Sequence, residues 1–279
     1  NVAHSFPTRR SSDLLGAAVV FPHDSLYDIR AVDDAEPQFS LLDSGNRRLV
    51  LNANLAVRAL DFLTLGVGFA LTPDVTGKVA VDLGDEQGAN SAFVEVLYHF
   101  APIAGLRLSP SPEFELGISY RGAQHTQIDM PVDVELASGI APVHARVLSP
   151  AFSIPHELAI GARVDPLDGL SLAVDVLWSK YSDYRYPSPD VEIFDTDGKL
   201  AQESRAGALS FDDTLALRIG TEWAILDGLQ ARAGYGYTPS PVPAQVGVAN
   251  VLDADRHALS LGAGYTWSFD DDMGMRELG

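Results

Sequence analysis

The chain has no cysteine among its 279 residues. That excludes disulfide staples and thiolate metal sites. A chain free of thiols suits an oxidising compartment, although cytosolic proteins lack cysteine too. Basic residues are scarce: 19 Lys+Arg stand against 38 Asp+Glu, for a formal net charge of −19. So acidic a chain is a poor partner for nucleic acid, whose phosphates need clustered Lys and Arg. Long apolar runs are missing as well. LLGAAVVF, residues 14–21, is about the longest. A membrane-spanning helix needs roughly 20 such residues. Catalytic and nucleotide-binding fingerprints are also absent, with no G-x-S-x-G, H-E-x-x-H, Walker loop or G-x-G-x-x-G. Asp195–Gly198, DTDG, begins like a calcium loop, but the later ligand positions fail and it reads as a turn. No cofactor or metal is implied.

One segment differs from its surroundings. His4–Leu14, HSFPTRRSSDL, packs two arginines, a proline and three serines together. It matches, in order, the translation of a sequencing-library adapter. Residues 1–14 are therefore expected to be a non-native leader, with natural sequence from about Leu15. The alternative is a natural basic, Ser-rich targeting leader. No signal peptide is visible.

What the sequence does contain is period-two alternation. HALSLGAGYTWSF puts Leu259, Leu261, Ala263, Tyr265, Trp267 and Phe269 on one face, and Ala258, Ser260, Gly262, Gly264 and Thr266 on the other. Such alternation is a strand between two environments. The same reading applies near residues 49–58, 63–71, 92–108, 114–121, 157–164, 170–178, 215–223 and 229–237, giving about ten strands and no helix. Tight turns rich in Pro, Gly and Asp fall at 59–62, 109–113, 165–169 and 226–228, where turn geometry favours those residues. Links near 23–46, 73–90, 179–213 and 238–256 are long. Short turns at one end and long loops at the other describe an all-β, antiparallel up-and-down transmembrane β-barrel of a Gram-negative outer membrane.

Alternation also occurs in soluble sandwiches, whose apolar face forms a core. Three features favour the membrane. The apolar faces of the nine clearest strands carry no charge, as expected where a mid-bilayer Lys or Arg costs about 2–4 kcal/mol. The polar faces are small, as at Gly66, Gly68, Gly161, Gly220, Gly234 and Gly262. Aromatics end the apolar faces: Tyr120, Trp178, Tyr235 and Tyr237 on one side, Trp223, Tyr265, Trp267 and Phe269 on the other. Two such rows read as interfacial girdles, although core packing explains any one of them. The inner face mixes signs, with Arg58, Glu95, Arg121, Glu157, Arg163, Asp175, Arg218, Glu222 and Arg232. Cross-strand pairing among them is the plainest reading.

Residues 102–122 (PIAGLRLSPSPEFELGISYRG), 155–184 and above all 229–267 (LQARAGYGYTPSPVPAQVGVANVLDADRHALSLGAGYTW) resemble the FadL family of outer-membrane transporters for long-chain fatty acids and aromatic hydrocarbons. The resemblance implies a fourteen-strand barrel plugged by an N-terminal hatch, with lateral release of substrate through a kinked strand and no ATP. About ten of those strands lie in 15–279, a partial barrel. The hatch, the signal peptide, the first strands and the closing strands are expected outside it. The kink is sought near residues 15–22. Expected partners are the lipid bilayer, lipopolysaccharide and a hydrophobic small molecule, with the protein a monomer.

A fatty acid needs an apolar path and a few cations for its carboxylate. Arg218, Arg232, Arg256 and His257 are the candidate cations. Asp255-Arg256-His257, where a long loop re-enters the barrel, could equally be a salt bridge anchoring that loop. Val242, Val246, Val251 and Leu252 are apolar for a solvent loop and either line a capture groove or pack over the barrel mouth. A general porin or surface adhesin is the alternative function. An outer-membrane lipolytic enzyme is a third, and it would need a nucleophile beside one of the seven histidines. Partition into detergent separates all of these from a soluble sandwich.

Overall fold

The computed structural model describes residues 13–20, 49–82, 91–135, 142–184, 190–195, 197–204, 210–243 and 252–266. In chain order the strands are β1 (Asp13–Val20), β2 (Val50–Leu60), β3 (Leu63–Asp82), β4 (Ser91–Ser111), β5 (Phe114–Arg121), β6 (Gln124–Glu135) and β7 (Val143–Ile154). They continue with β8 (Glu157–Leu167), β9 (Leu170–Ser179), β10 (Asp190–Phe194), β11 (Leu200–Ser204), β12 (Thr214–Leu226), β13 (Leu229–Thr238) and β14 (Arg256–Tyr265).

Ten of these form the barrel wall. The order β1-β2-β3-β4-β5-β8-β9-β12-β13-β14 is antiparallel at every step. Nine of them, β2 to β5, β8, β9 and β12 to β14, are strands read from alternation, and β1 is added by the structure. The four expected tight turns close β2–β3, β4–β5, β8–β9 and β12–β13, and each hairpin shifts register just before its turn. Gly228 shows why one of these turns needs glycine. Its φ is 80°, a left-handed conformation, and its carbonyl accepts from Thr266 N–H at 2.8 Å.

The two faces of the wall settle what solvates it. Leu259 and Leu261 are 85% and 89% exposed, and Leu215, Ile219 and Trp223 are more than half or half exposed on the same side. Water would not tolerate so continuous an apolar surface, but acyl chains would. The buried hydrophobic cluster is correspondingly small among the described residues: Val50, Ala70 and Ala101, with Ile103 packed against it. No described helix is long and apolar enough to cross a membrane, which says nothing of strands. Register aligns the outer aromatic row, because Tyr120 pairs Leu158, Leu158 pairs Trp178 and Trp178 pairs Leu215. Its phenols have polar partners. Tyr120 and Tyr235 hydroxyls lie 2.8 Å from His156 Nδ1 and His257 Nδ1, and Tyr237 donates to Asp255 at 2.8 Å. Amphipathic rings with apolar bodies and bonded tips suit the lipid–water boundary. Trp267 and Phe269, expected at the opposite row, lie outside the described residues.

The long links depart from expectation. Residues 73–82, read as loop, continue β3. Pro73, Asp74 and Gly77 look like breakers, but Pro73 falls between the last pair with β2 (Leu51–Leu71) and the first with β6 (Val75–Ile128). A proline is tolerated where the ladder changes hands. Residues 122–156, unassigned from sequence, form the β6–β7 hairpin, and 179–213 contains β10 and β11. These four strands extend the sheet on the loop side, β11-β10-β7-β6-β3, and β6 joins β3 in parallel. Neither was foreseen, because parallel pairing has no local sequence signal. β1 pairs β2 in unbroken register from Asp13 to Val20, so the described part of 15–22 carries no bulge.

Charges knit the extension. Arg146 grips Asp129 with two bonds, 2.8 and 2.6 Å, and Asp133 is shared by Lys78 and His144 at 2.7 Å each. The Arg146 hydrogen bond holds Asp129 below its ordinary carboxyl pKa of 3.8, and Lys78, then His144, do the same for Asp133. A depressed folded pKa stabilises the fold fully above 3.8 and the contribution is lost as pH falls through the lower folded value. Hydrogen exchange in β6 and β7, corrected for intrinsic rate, should therefore rise on acidification from neutrality to below 3.8, with the wall strands β8, β9 and β12 little changed.

Candidate functional site

β9, β12, β13 and β14 turn their small-residue faces into a concavity of about 1120 Å³. Period two puts Ser171, Ala173 and Asp175, then Arg218, Gly220 and Glu222, then Arg232, Gly234 and Gly236, then Arg256, Ala258 and Ser260 on that face. Most of these side chains are short, so an elongated molecule can lie along the wall. The loop-side end is apolar and aromatic. Leu177, Tyr181, Pro239 and Pro241 line it, and the Tyr181 ring lies tilted against Tyr184 at 5.7 Å, which meets buried Phe211 edge-on at 5.0 Å. Burial pushes the Tyr181 phenol up, with the Arg256 charge acting against it.

Lumen charges mostly satisfy one another, as the plain reading expected. Arg232 donates to Glu222 at 2.6 Å and to Gln230 at 3.2 Å. Arg121 reaches Glu157 at 3.3 Å, Arg163 holds Asp165 and Ser171, and Arg107 pairs Glu115. Arg218 and Arg256 differ. Among the described residues neither has an ion-pair or hydrogen-bond partner, and both line the concavity. Arg218 stands in register with Asp175, yet the carboxylate leans the other way. A Cβ built on Gly161 would collide with it, so the missing side chain of Gly161 is the slot that draws Asp175 off Arg218. Gly236 lies between Arg218 and Ala258 in the pairing, and Arg256 pairs Thr238. The two arginines thus sit two strands and two residues apart, roughly 12 Å between Cα atoms from ordinary strand spacings. Their long side chains can reach a common anion.

The other expected site residues stand differently. Arg232 is neutralised by Glu222. His257 shares the outward face with Leu259 and lies beside Tyr235 and Tyr237, with ring centroids 6.1 and 4.9 Å away. Among the described residues, loop anchoring is done by Asp255 and Asp253 rather than by a salt bridge to Arg256. Asp255 accepts from Ser240 N–H and Tyr237 O–H, and Asp253 from the Ser240 hydroxyl. The backbone bond from Ser240 holds the Asp255 carboxyl below its ordinary value. Val242 is half-buried and its N–H bonds the Ser240 hydroxyl, while Leu252 is 43% exposed. Val246 and Val251 lie outside the described residues. Sequence reasoning missed the Tyr181–Tyr184–Phe211 cluster, because those residues join only when β9 and β12 become neighbours.

An apolar outward belt, tyrosine-rich rim, hairpins with short turns on one side and a polar, glycine-rich inner face define a transmembrane β-barrel of the Gram-negative outer membrane. The particular family follows from comparison. Residues 100–275 match the family described as outer membrane protein transport protein (OMPP1/FadL/TodX), and the chain belongs to it. No curated protein sequence matches. Among solved structures it is similar to a Pseudomonas aeruginosa FadL homologue, at 19% identity over 79% of this chain and 56% of that one, with a TM-score of 0.49. It is also similar to the Ralstonia pickettii toluene transporter TbuX, at 17% identity, 93% and 70% coverage and a TM-score of 0.48. The Pseudomonas putida toluene transporter TodX gives 14% identity, 92% and 68% coverage and 0.44.

Proposed function

We propose that the whole protein admits hydrophobic compounds passively through the outer membrane, and that its preferred cargo carries an anionic head, long-chain fatty acids foremost. The observation behind this reading is the pair Arg218 and Arg256, lacking ionic partners among the described residues in a wall whose other charges are mostly matched. An apolar tail would lie on Leu177, Tyr181 and Pro241 while the head meets the guanidiniums. Passage needs binding that is weak enough to release, which fits an open wall better than an enclosed pocket. No catalytic role is assigned. The same reading has the protein working as a monomer among lipid and lipopolysaccharide, with residues 1–14 contributing nothing to transport. Sequencing the gene from source DNA tests that last point, because genomic coding of His4–Leu14 would overturn it.

The function is tested by uptake of labelled fatty acid and of toluene in cells lacking their own transporter and supplied with the full-length gene. Toluene transport that is equal or better, and indifferent to both arginines, would instead favour neutral aromatic cargo, as the names of TbuX and TodX suggest for those proteins. Gly161 offers a subtler check. Gly161→Ala should drive Asp175 back toward Arg218 and weaken fatty-acid binding by about tenfold, the scale of one charge-assisted hydrogen bond. Gly117→Ala on β5, where a Cβ meets only ordinary contact, should change little. Equal effects of the two substitutions would sink the proposed slot.

A further inference from the structure

The junction where β3 exchanges β2 for β6 brings together Asp74 on β3, His99 on β4 and His125 on β6, with one ligand atom of each within 4.8 Å of the others. All three are half-buried. We propose that they bind a divalent transition metal of the zinc class, which clips the β6–β7 hairpin to the β3–β4 ribbon. The backbone prearranges the set. Thr72, 1% exposed, donates its hydroxyl to the His125 carbonyl at 2.9 Å and is the register partner of His99. One residue therefore fixes the roots of both imidazoles, whose ring centroids lie 3.9 Å apart. Asp74 accepts the Gln127 N–H at 2.9 Å on Oδ1, an outer bond of the kind that orients a ligating carboxylate. Two imidazoles and a carboxylate are a borderline donor set, suited to zinc, nickel, cobalt or copper rather than to magnesium or calcium. Zinc at 2.0–2.1 Å needs donors roughly 3.4 Å apart, so small side-chain rotations from the present positions suffice. A fourth position remains for water.

The benefit is topological. β6 returns to β3 in parallel after a long excursion, and a parallel pair has no turn to fix its register. A metal bridging three strands at the first residues of that pair would hold it. Further along the pair, the Lys78–Asp133 ion pair already ties β3 to β6.

The test uses full-length protein in detergent, purified without a histidine tag and stripped with chelator. Zn²⁺ is titrated by calorimetry and Co²⁺ by its visible absorption, which reports coordination geometry. One equivalent should bind saturably, and Zn²⁺ should slow hydrogen exchange in β6 and β7. His99→Ala and His125→Ala should each lower affinity beyond the roughly 10–100-fold that loss of an outer partner costs, and Asp74→Asn should lower it less. Absence of saturable binding by the unaltered protein overturns the proposal without any variant needing to fold. Binding that survives in the double histidine variant, or that leaves β6–β7 exchange unchanged, overturns it too.

Discussion

Replacing both Arg218 and Arg256 with alanine should lower the affinity of the full-length protein for a fatty-acid carboxylate by roughly a hundredfold and leave toluene binding unchanged. Each charged hydrogen bond is worth at least about 1.5 kcal/mol, or about tenfold, and both are lost together. The lower figure is used because the concavity is open to water and the arginines are screened there. The single variants should each cost about tenfold, and the fatty-acid methyl ester should be indifferent to all three. Calorimetry in detergent with decanoate, its methyl ester and toluene gives the comparison directly. Arg232→Ala serves as the contrast. Its guanidinium is held by Glu222 at 2.6 Å, so its removal frees a carboxylate in the lumen rather than removing a head-group ligand. A loss of affinity in Arg232→Ala equal to that in Arg218→Ala would show a general field of positive charge instead of a defined pair. Higher salt should weaken the unaltered protein toward the double variant, since the interaction is ionic.

The largest structural effect is expected on the other face. Ile219→Arg should destabilise the folded barrel by about 2–4 kcal/mol, whereas Gly220→Arg, one residue along, should cost less than about 1 kcal/mol. Ile219 is 50% exposed and lies midway along β12 between Leu215 and Trp223, the levels of the two aromatic rows. A guanidinium there meets acyl chains at the depth where charge is least tolerated. Gly220 points the opposite way, and a Cβ on it meets nothing within 4 Å. Folding into lipid vesicles across a urea series measures both, and retention of the compact band on an unheated gel gives a quick reading. Equal penalties at the two positions would mean that both faces are solvated alike, and the membrane assignment would fall.

Much of this protein was legible in its sequence, for a simple reason. In a barrel wall the side-chain period is two and the two solvents differ completely, so every strand carries its own orientation in its own residues. Hence Leu259 and Leu261 could be placed outside and Arg218 inside without any partner strand. Turns were equally local, because Pro, Gly and Asp at 165–169 or 226–228 act within a few residues. Most of the wall strands followed, and so did the family, through its stretch from 229 to 267.

What the tertiary structure alone decided is who stands beside whom. Alternation gives a face but no neighbour, so it could not tell that Arg232 is matched by Glu222 while Arg218 loses Asp175 to the space over Gly161. It placed His257 with the loop cations, but parity at the start of β14 sends Arg256 inward and His257 outward among the tyrosines. The β6–β7 hairpin escaped because its parallel seat on β3 joins residues some 50 apart in sequence, such as Val75 and Ile128. Asp74, His99 and His125 have no recognisable spacing for the same reason. A strand's own residues fix which way each side chain points. Only pairing fixes which charges cancel, which stay available, and which three donors meet where one strand gives way to another.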